Sequence, residues 1–289
     1  MAGRELGRRV GVAAIGIPFA LWVVYLGSWA VAVVLALTAA LGAREVYRLA
    51  SARGWHPFTW IGVPAAALLV LAAGWTGTVE SWSVVAWWIL IGLTLLAMAG
   101  AVVWRDLQAA PLVAVASTIF GVIYVGATLA FAVLLRAFPE TGGGEVGWEG
   151  AFLLIFPLVA TWSGDSAAYF VGRRWGRRKL LPAVSPGKTV EGGVGGLIGA
   201  TLGAGLFALL LLGPGGGVVL PALSGAFLGL VIGGVAQVGD LAESLLKREA
   251  GVKDSGSLLP GHGGVLDRFD SVFFTLPVTY ALLPFFLQS

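Results

Sequence analysis

The sequence predicts an all-α polytopic integral membrane protein of about nine transmembrane helices, with its amino terminus in the cytoplasm. Three observations carry this. The 289 residues are 58% hydrophobic and 11% charged, less than half the roughly 25% charged content of an ordinary soluble domain, and mean hydropathy is +0.91. A soluble fold could not absorb that much apolar surface without exposing patches that aggregate. The apolar residues gather into runs long enough to cross a ~30 Å hydrocarbon core as helices. The basic residues between those runs fall almost wholly on one side.

The runs lie at residues 10–27, 28–46, 57–74, 82–103, 111–137, 150–171, 189–213, 218–239 and 271–287. The first follows Arg4, Arg8 and Arg9, as a signal peptide would, and "AVA" at 30–32 resembles a cleavage site. The residues beyond it stay apolar, which favours a retained signal anchor. Only Gly27-Ser28 separates the second run from the first, and Arg44 and Glu45 enter its end. Alternating sides from a cytoplasmic amino terminus places 17 of the 18 lysines and arginines in the cytoplasm and leaves Arg136 outside, as the positive-inside rule requires.

The outer connections, "WTGTVES", "PETGGGEVGWE" and "GPGGG", are short and carry no basic residue. Trp55, Trp75, Trp82, Trp104, Trp148 and Trp175 fall near predicted helix ends, where an aromatic belt sits. Cysteine is absent, which excludes disulfides and thiolate metal sites. Residues 1–137 form an N-terminal group of helices with few polar groups in their apolar runs, and residues 138–289 hold nearly all the chemistry. Gly192/Gly196, Gly195/Gly199, Gly199/Gly203 and Gly225/Gly229/Gly233 have small-xxx-small spacing. This lets helix backbones pack closely, or alternatively lets a substrate approach the backbone.

Four charged clusters lie on the cytoplasmic side of residues 138–289. In "WSGDSAAYFVGRRWGRRK", Asp165 sits in an apolar helix with Ala168, Tyr169 and Gly172 on its face. A buried charge of this kind implies a polar cavity or a cationic partner, and registration of the helix by a neighbouring arginine is the plainer alternative. The basic residues that follow suit any anionic lipid surface. In "SPGKTVEGG", a P-loop would need glycine five residues before Gly187, where Pro182 stands. What remains is a turn at Ser185-Pro186-Gly187 opening onto a helix start, where Lys188, Thr189 and backbone N–H groups can grip a phosphate. Capping alone also explains Thr189 and Glu191.

In "GDLAESLLKREAG", Asp240 and Ser244 share a helix face, as do Glu243 and Lys247, a spacing that suits a surface ion pair. In "KDSGSLLPGHGGVLDRFDS", the glycines and proline force a loop. Asp267 and Asp270 follow one turn apart, with Arg268 between them. Carboxylates so placed can hold a hard cation such as Mg²⁺ together with substrate phosphates, although a helix-capping role is open for one of them. His262, between glycines, suits a loop donor or a general base.

Residues 244–271, "SLLKREAGVKDSGSLLPGHGGVLDRFDS", resemble the signature of the phosphatidate cytidylyltransferases, or CDP-diacylglycerol synthases. Two further blocks, "GDSAAYFVGRRWGRRKL" and "SPGKTVEGGVGG", are similar to family blocks in the same order. Gly187 stands where a basic residue is frequent, and Arg178 where lysine is common. The resemblance covers residues 150–289 closely and the first 137 only in hydropathy. It implies transfer of a cytidylyl group from CTP to phosphatidic acid, giving CDP-diacylglycerol and pyrophosphate. It also implies a Mg²⁺ requirement, a homodimer, a multi-pass place in the bacterial inner membrane with the site facing the cytoplasm, and no nucleic-acid partner.

On that resemblance Asp240, Asp267 and Asp270 are expected to hold the metal. Lys247, Arg248, Lys253 and Arg268 would neutralise the triphosphate and the departing pyrophosphate. Ser185, Lys188, Thr189, Glu191, Ser244, His262, Gly263 and Gly264 would line the substrates, Arg173 and Arg177 would draw in the lipid headgroup, and Asp165 would orient a basic neighbour or a second cation. Rivals from other classes remain. A secondary transporter would explain Asp165 and the glycine-interrupted helices, but not charges gathered on one side. A CDP-alcohol phosphotransferase would need D-G-x-x-A-R, which is absent. A membrane scaffold would need none of the clusters.

Overall fold

The computed structural model describes residues 14, 16–138, 148–213, 218–256 and 263–287. They form helices α1 (Gly16–Tyr25), α2 (Ser28–Ala52), α3 (Thr59–Thr76), α4 (Val79–Trp104), α5 (Pro111–Ala137) and α6 (Trp148–Trp175). A hairpin of β1 (Lys179–Leu181) and β2 (Ser185–Thr189) follows, then α7 (Val190–Leu211), α8 (Ala222–Glu249), the single turn α9 (Leu266–Phe269) and α10 (Val272–Leu282).

Seven of these helices, α2 to α8, are long and apolar enough to cross a membrane. Of the first predicted run, residues 10–13 and 15 lie outside the described residues, and α1 covers most of the rest. The last predicted run is broken up. α10 has 11 residues with Pro277 inside it, and a 3₁₀ turn at Leu283–Phe285 follows. Pro284 cannot donate a backbone hydrogen bond and disfavours helical geometry in the residue before it.

The chain divides into two compact units, one drawn from residues 1–146 and 249–269, the other from 147–248 and 270–289. In the first, α5 contains a π-helical stretch at Val122–Ala127. There Gly126 lies on the backbone of Ala66 in α3, so close that a β-carbon would stand 2.7 Å from its carbonyl oxygen. Tyr47 of α2, almost fully buried, donates to the Thr118 carbonyl at 2.8 Å, and the Thr118 hydroxyl accepts from Phe58 N at 2.8 Å. Arg136 is also buried, its Nε donating to the Val24 carbonyl at 2.8 Å.

The tryptophans do not all behave as anchors. Trp75, Trp104, Trp148 and Trp175 are exposed, as a lipid-facing belt requires. Trp82 is a correction to the sequence reading: it is 6% exposed, donates from Nε1 to the Leu69 carbonyl at 2.9 Å, and meets Phe131 edge to face. Its N–H is satisfied inside the protein, so the ring has no need of the wet interface.

In the second unit the glycine seams pack helices. β-Carbons at Gly195, Gly199 and Gly203 of α7 would strike Val171, Ala167 and Ser163 of α6. Those at Gly225 and Gly229 of α8 would strike Ala208 and the Ala200 backbone of α7. Close backbone approach substitutes for the hydrophobic drive that lipid cannot provide.

Candidate active site

The second unit positions its charged residues through the turn from α6 into α7. The β1–β2 pairing sets Lys179 opposite Thr189 and Leu181 opposite Ser185. Ser185, Pro186 and Gly187 therefore lie on a strand, not on the turn that their residue types suggest; the reversal falls at residues 182–184. Cross-strand pairing has overridden a local Ser-Pro-Gly signal. Thr189 caps α7, its Oγ1 accepting from Gly192 N at 3.1 Å. The Glu191 carboxylate accepts from the backbone N–H groups of Arg177 at 2.9 Å and Arg178 at 3.2 Å. The capping alternative thus describes Thr189, while Glu191 ties the backbone that follows α6 to the first turn of α7.

Beside this turn lies a cavity of about 510 Å³. α6 supplies Asp165, Tyr169 and Arg173 to its wall, β2 supplies Lys188 and Thr189, α7 supplies Gly192 and Gly193, and α8 supplies Gln237 and Asp240. Gly192 and Gly193 bring backbone to the cavity surface. Lys188 Nζ pairs with Asp240 Oδ2 at 2.5 Å, and Asp165 is near enough to feel both charges. Ser244 Oγ reaches Asp240 Oδ1 only at 3.5 Å, and Arg173 Nη1 donates to the Tyr169 hydroxyl at 3.1 Å.

Asp270 precedes α10 and accepts from Ser271 N at 2.6 Å. Burial first, then the charge of Asp240, pushes its carboxyl up to about 6. Gly239 sits against the Asp270 backbone, where a β-carbon would meet the carbonyl. Asp240 and Asp270 are thus neighbours. Two electrostatically opposed carboxylates fit Mg²⁺, which takes one or two carboxylates and completes its shell with phosphates and water. Among the described residues of this unit no three Asp, Glu or His side chains converge into a closed metal cage, and a site of the open kind needs none.

Lys247 pairs with Glu243 at 2.5 Å, and Glu243 is wholly buried. The sequence placed this pair on a helix surface; it is an interior pair, held where removing one partner leaves an uncompensated charge. Arg248 Nε lies 3.4 Å from the Val184 carbonyl, on the hairpin turn.

The first unit holds Lys253, Gly263, Gly264, Asp267 and Arg268, with Lys253 and Arg268 exposed. Asp267 Oδ2 accepts from Gly264 N at 2.8 Å and Ser255 N at 3.0 Å, and lies 3.1 Å from Ser255 Oγ. His262 lies outside the described residues.

The sequence reading missed two residues. Gln237 of α8 donates from Nε2 to the Gly193 carbonyl at 3.1 Å, joining α8 to α7 at the cavity wall, and to the Gly233 carbonyl of its own helix at 3.3 Å. An amide inside an apolar run was the available signal. Glu45 is the other, and its only signal was a carboxylate at the end of an apolar run.

Seven helices long and apolar enough to cross a membrane, with an ion-paired, glycine-walled cavity among three of them, define a helical polytopic membrane protein. The chain belongs to the cytidylyltransferase family, whose model matches residues 7–286. It is 33% identical over 295 residues to the phosphatidate cytidylyltransferase of Synechocystis, a match covering 94% of each chain. It is 42% identical over 164 residues to the phosphatidate cytidylyltransferase of Bacillus subtilis, covering 57% of this chain and 56% of that one. It is 46% identical over 134 residues to the Haemophilus influenzae protein of that name, covering 45% of each. In the last two matches the chain spans about half the length of the relative.

Proposed function

We propose that this protein joins CTP and phosphatidic acid into CDP-diacylglycerol, releasing pyrophosphate. The observation that carries the reading is the cavity in which Lys188 faces Asp240, with Asp165 beside them and Asp270 next to Asp240. The nucleophile is a phosphatidate phosphate oxygen, already anionic at neutral pH. It attacks the α-phosphorus of CTP, and the bond between the α-phosphorus and the bridging oxygen breaks, with the electron pair leaving on pyrophosphate. The obstacle is bringing two anions together, not generating a base.

The chain's residues meet that obstacle by holding charge. Lys188 and the backbone N–H groups near Gly192 bind phosphate oxygens, and Arg173 and Arg177 draw in the lipid headgroup. Lys247, Arg248, Lys253 and Arg268 neutralise the triphosphate and the leaving group; for Lys247 this requires sharing its charge with Glu243. Asp240 and Asp270 hold a divalent cation, which we take to be Mg²⁺, and Asp267, in the other unit, is assigned to the metal by the family signature. When bound, the cation supplies charge neutralisation at the reacting phosphates.

The finer features of the reading are a homodimer, nine spans from a cytoplasmic amino terminus, an inner-membrane location and a site facing the cytoplasm. The segregation of 17 of the 18 basic residues supports the topology. The test is purified protein in mixed micelles with labelled CTP, phosphatidate and Mg²⁺, with the product identified by mass. CDP-diacylglycerol and pyrophosphate in equal amounts are expected; nucleotide hydrolysis without lipid product overturns the reading.

A further inference from the structure

Glu45 lies in α2 and is 5% exposed. A carboxylate buried at that depth must find donors, and it finds them in a segment more than two hundred residues later. Oε2 accepts from Ser255 Oγ at 2.8 Å and Leu266 N at 2.9 Å, and Oε1 accepts from Val265 N at 3.0 Å. Gly256 and Gly264 press against the same carboxylate, and a β-carbon on either would collide with it. All of these residues belong to one compact unit.

Ser255 stands between two carboxylates. Its hydroxyl is 2.8 Å from Glu45 and 3.1 Å from Asp267 Oδ2, and its backbone N–H goes to Asp267. A hydroxyl donates one hydrogen, and the shorter distance assigns it to Glu45. Asp267 then keeps the two backbone donors, Ser255 N and Gly264 N. Gly263 approaches from the other side with φ at +78°, and a β-carbon there would strike the Asp267 carboxylate. One carboxylate from α2 and one from the signature itself therefore grip the same two stretches of backbone.

We infer that Glu45 is a positioning residue for cytidylyl transfer: it fixes the backbone at Ser255-Gly256 and Gly264–Leu266, and through Ser255 it sets the orientation of the Asp267 carboxylate. A neutral amide cannot take its place. Glutamine offers one acceptor oxygen and an NH₂ to a ring of three donors, so in either orientation of the amide one backbone N–H, that of Val265 or of Leu266, is set against another N–H. The kinetic part of this inference rests on the assignment of Asp267 to the reaction; the structural part does not.

The test compares full-length Glu45→Gln, Ser255→Ala, Asp267→Asn and the double variant Glu45→Gln/Asp267→Asn in detergent micelles. Glu45→Gln is expected to lower kcat roughly 10–100-fold, the range for residues that orient a ligating group, with KM for CTP within about twofold. Amide exchange at Val265 and Leu266 should quicken at least about tenfold, and in the Asp267→Asn background Glu45→Gln should cost nothing further. Wild-type kcat with unchanged exchange overturns the inference, as does a simple loss of folded protein with normal kcat per folded molecule. If Glu45→Gln does not fold, Ser255→Ala, which removes only the hydroxyl, decides: a lowered kcat supports the inference and a wild-type kcat overturns it. A fully active Asp267→Asn defeats the role given to Asp267, and exchange at Val265 and Leu266 then decides whether Glu45 holds the segment.

Discussion

Lys188 on β2 and Asp240 on α8 form an ion pair at 2.5 Å across the cavity of the second unit. The hairpin, which aims Lys188, and the eighth helix are therefore fastened at the point where the phosphates are proposed to bind. The pair is partly exposed, 26% and 32%, so a ligand can compete for either partner.

Removing either member is expected to abolish most activity for related reasons. Asp240→Asn and Lys188→Met should each lower the rate of CDP-diacylglycerol formation at least about a hundredfold, and the double variant should be no worse than the poorer single one, because contacting residues in one network are non-additive. Initial rates for the three variants check this. Simple multiplication of the two losses would show that the residues act separately.

The raised carboxyl of Asp270 should make the proposed cation binding pH-dependent. Below about 6 the proton occupies the group, so a divalent ion must displace it and affinity should fall up to about tenfold per pH unit. The linkage sign for stability without cation follows. The folded state holds this proton more tightly than the unfolded chain does, so stability declines as pH rises from the ordinary carboxyl range to about 6 and is level above it. Mn²⁺ binding followed by electron paramagnetic resonance from pH 5 to 8 checks the first expectation, and Asp270→Asn should flatten the profile.

Gln237→Leu should loosen the second unit without unfolding it. It removes one interhelical donation, to the Gly193 carbonyl, and one within α8, to the Gly233 carbonyl, in a setting where interhelical bonds are worth about 0.6 kcal/mol on average. Thermal unfolding in detergent should show a loss of about 0.6 kcal/mol. A loss several times larger would mean that Gln237 carries more of the α7–α8 contact than its bond to Gly193.

Glycines in the two halves of the hairpin-to-helix region should respond in opposite ways. Gly199→Leu forces a side chain into Ala167 and the α6 backbone, and should yield aggregated or poorly extracted protein. Gly187 has open space around it, so Gly187→Arg should fold normally and elute as the parent does in size-exclusion chromatography.

The membrane-crossing helices were legible because lipid imposes one demand, sustained apolar length, and α2 to α8 meet it. The hairpin was not. Ser185-Pro186-Gly187 is a turn signal by local chemistry, and only the pairing of Lys179 with Thr189 turns it into a strand. The last run misled for a similar reason, since hydropathy counts its residues and ignores Pro277 and Pro284. Asp165, Lys188 and Asp240 could be singled out as charges beside apolar runs, yet their meeting depends on the packing of α6, α7 and α8. Glu45 could not be assigned at all, because its hydrogen-bond partners among the described residues lie at sequence separations of 210 or more.

That separation has a consequence for biosynthesis. α2 emerges from the ribosome carrying a carboxylate whose backbone and hydroxyl donors have not yet been made. Until residues 255–266 are translated and return, Glu45 must be satisfied by water, by a proton or by translocon surroundings. The amino-terminal helices accordingly reach their final form only when nearly the whole polypeptide exists. A chain halted after α8 would carry Glu45 in α2 without the donors that Ser255, Val265 and Leu266 provide.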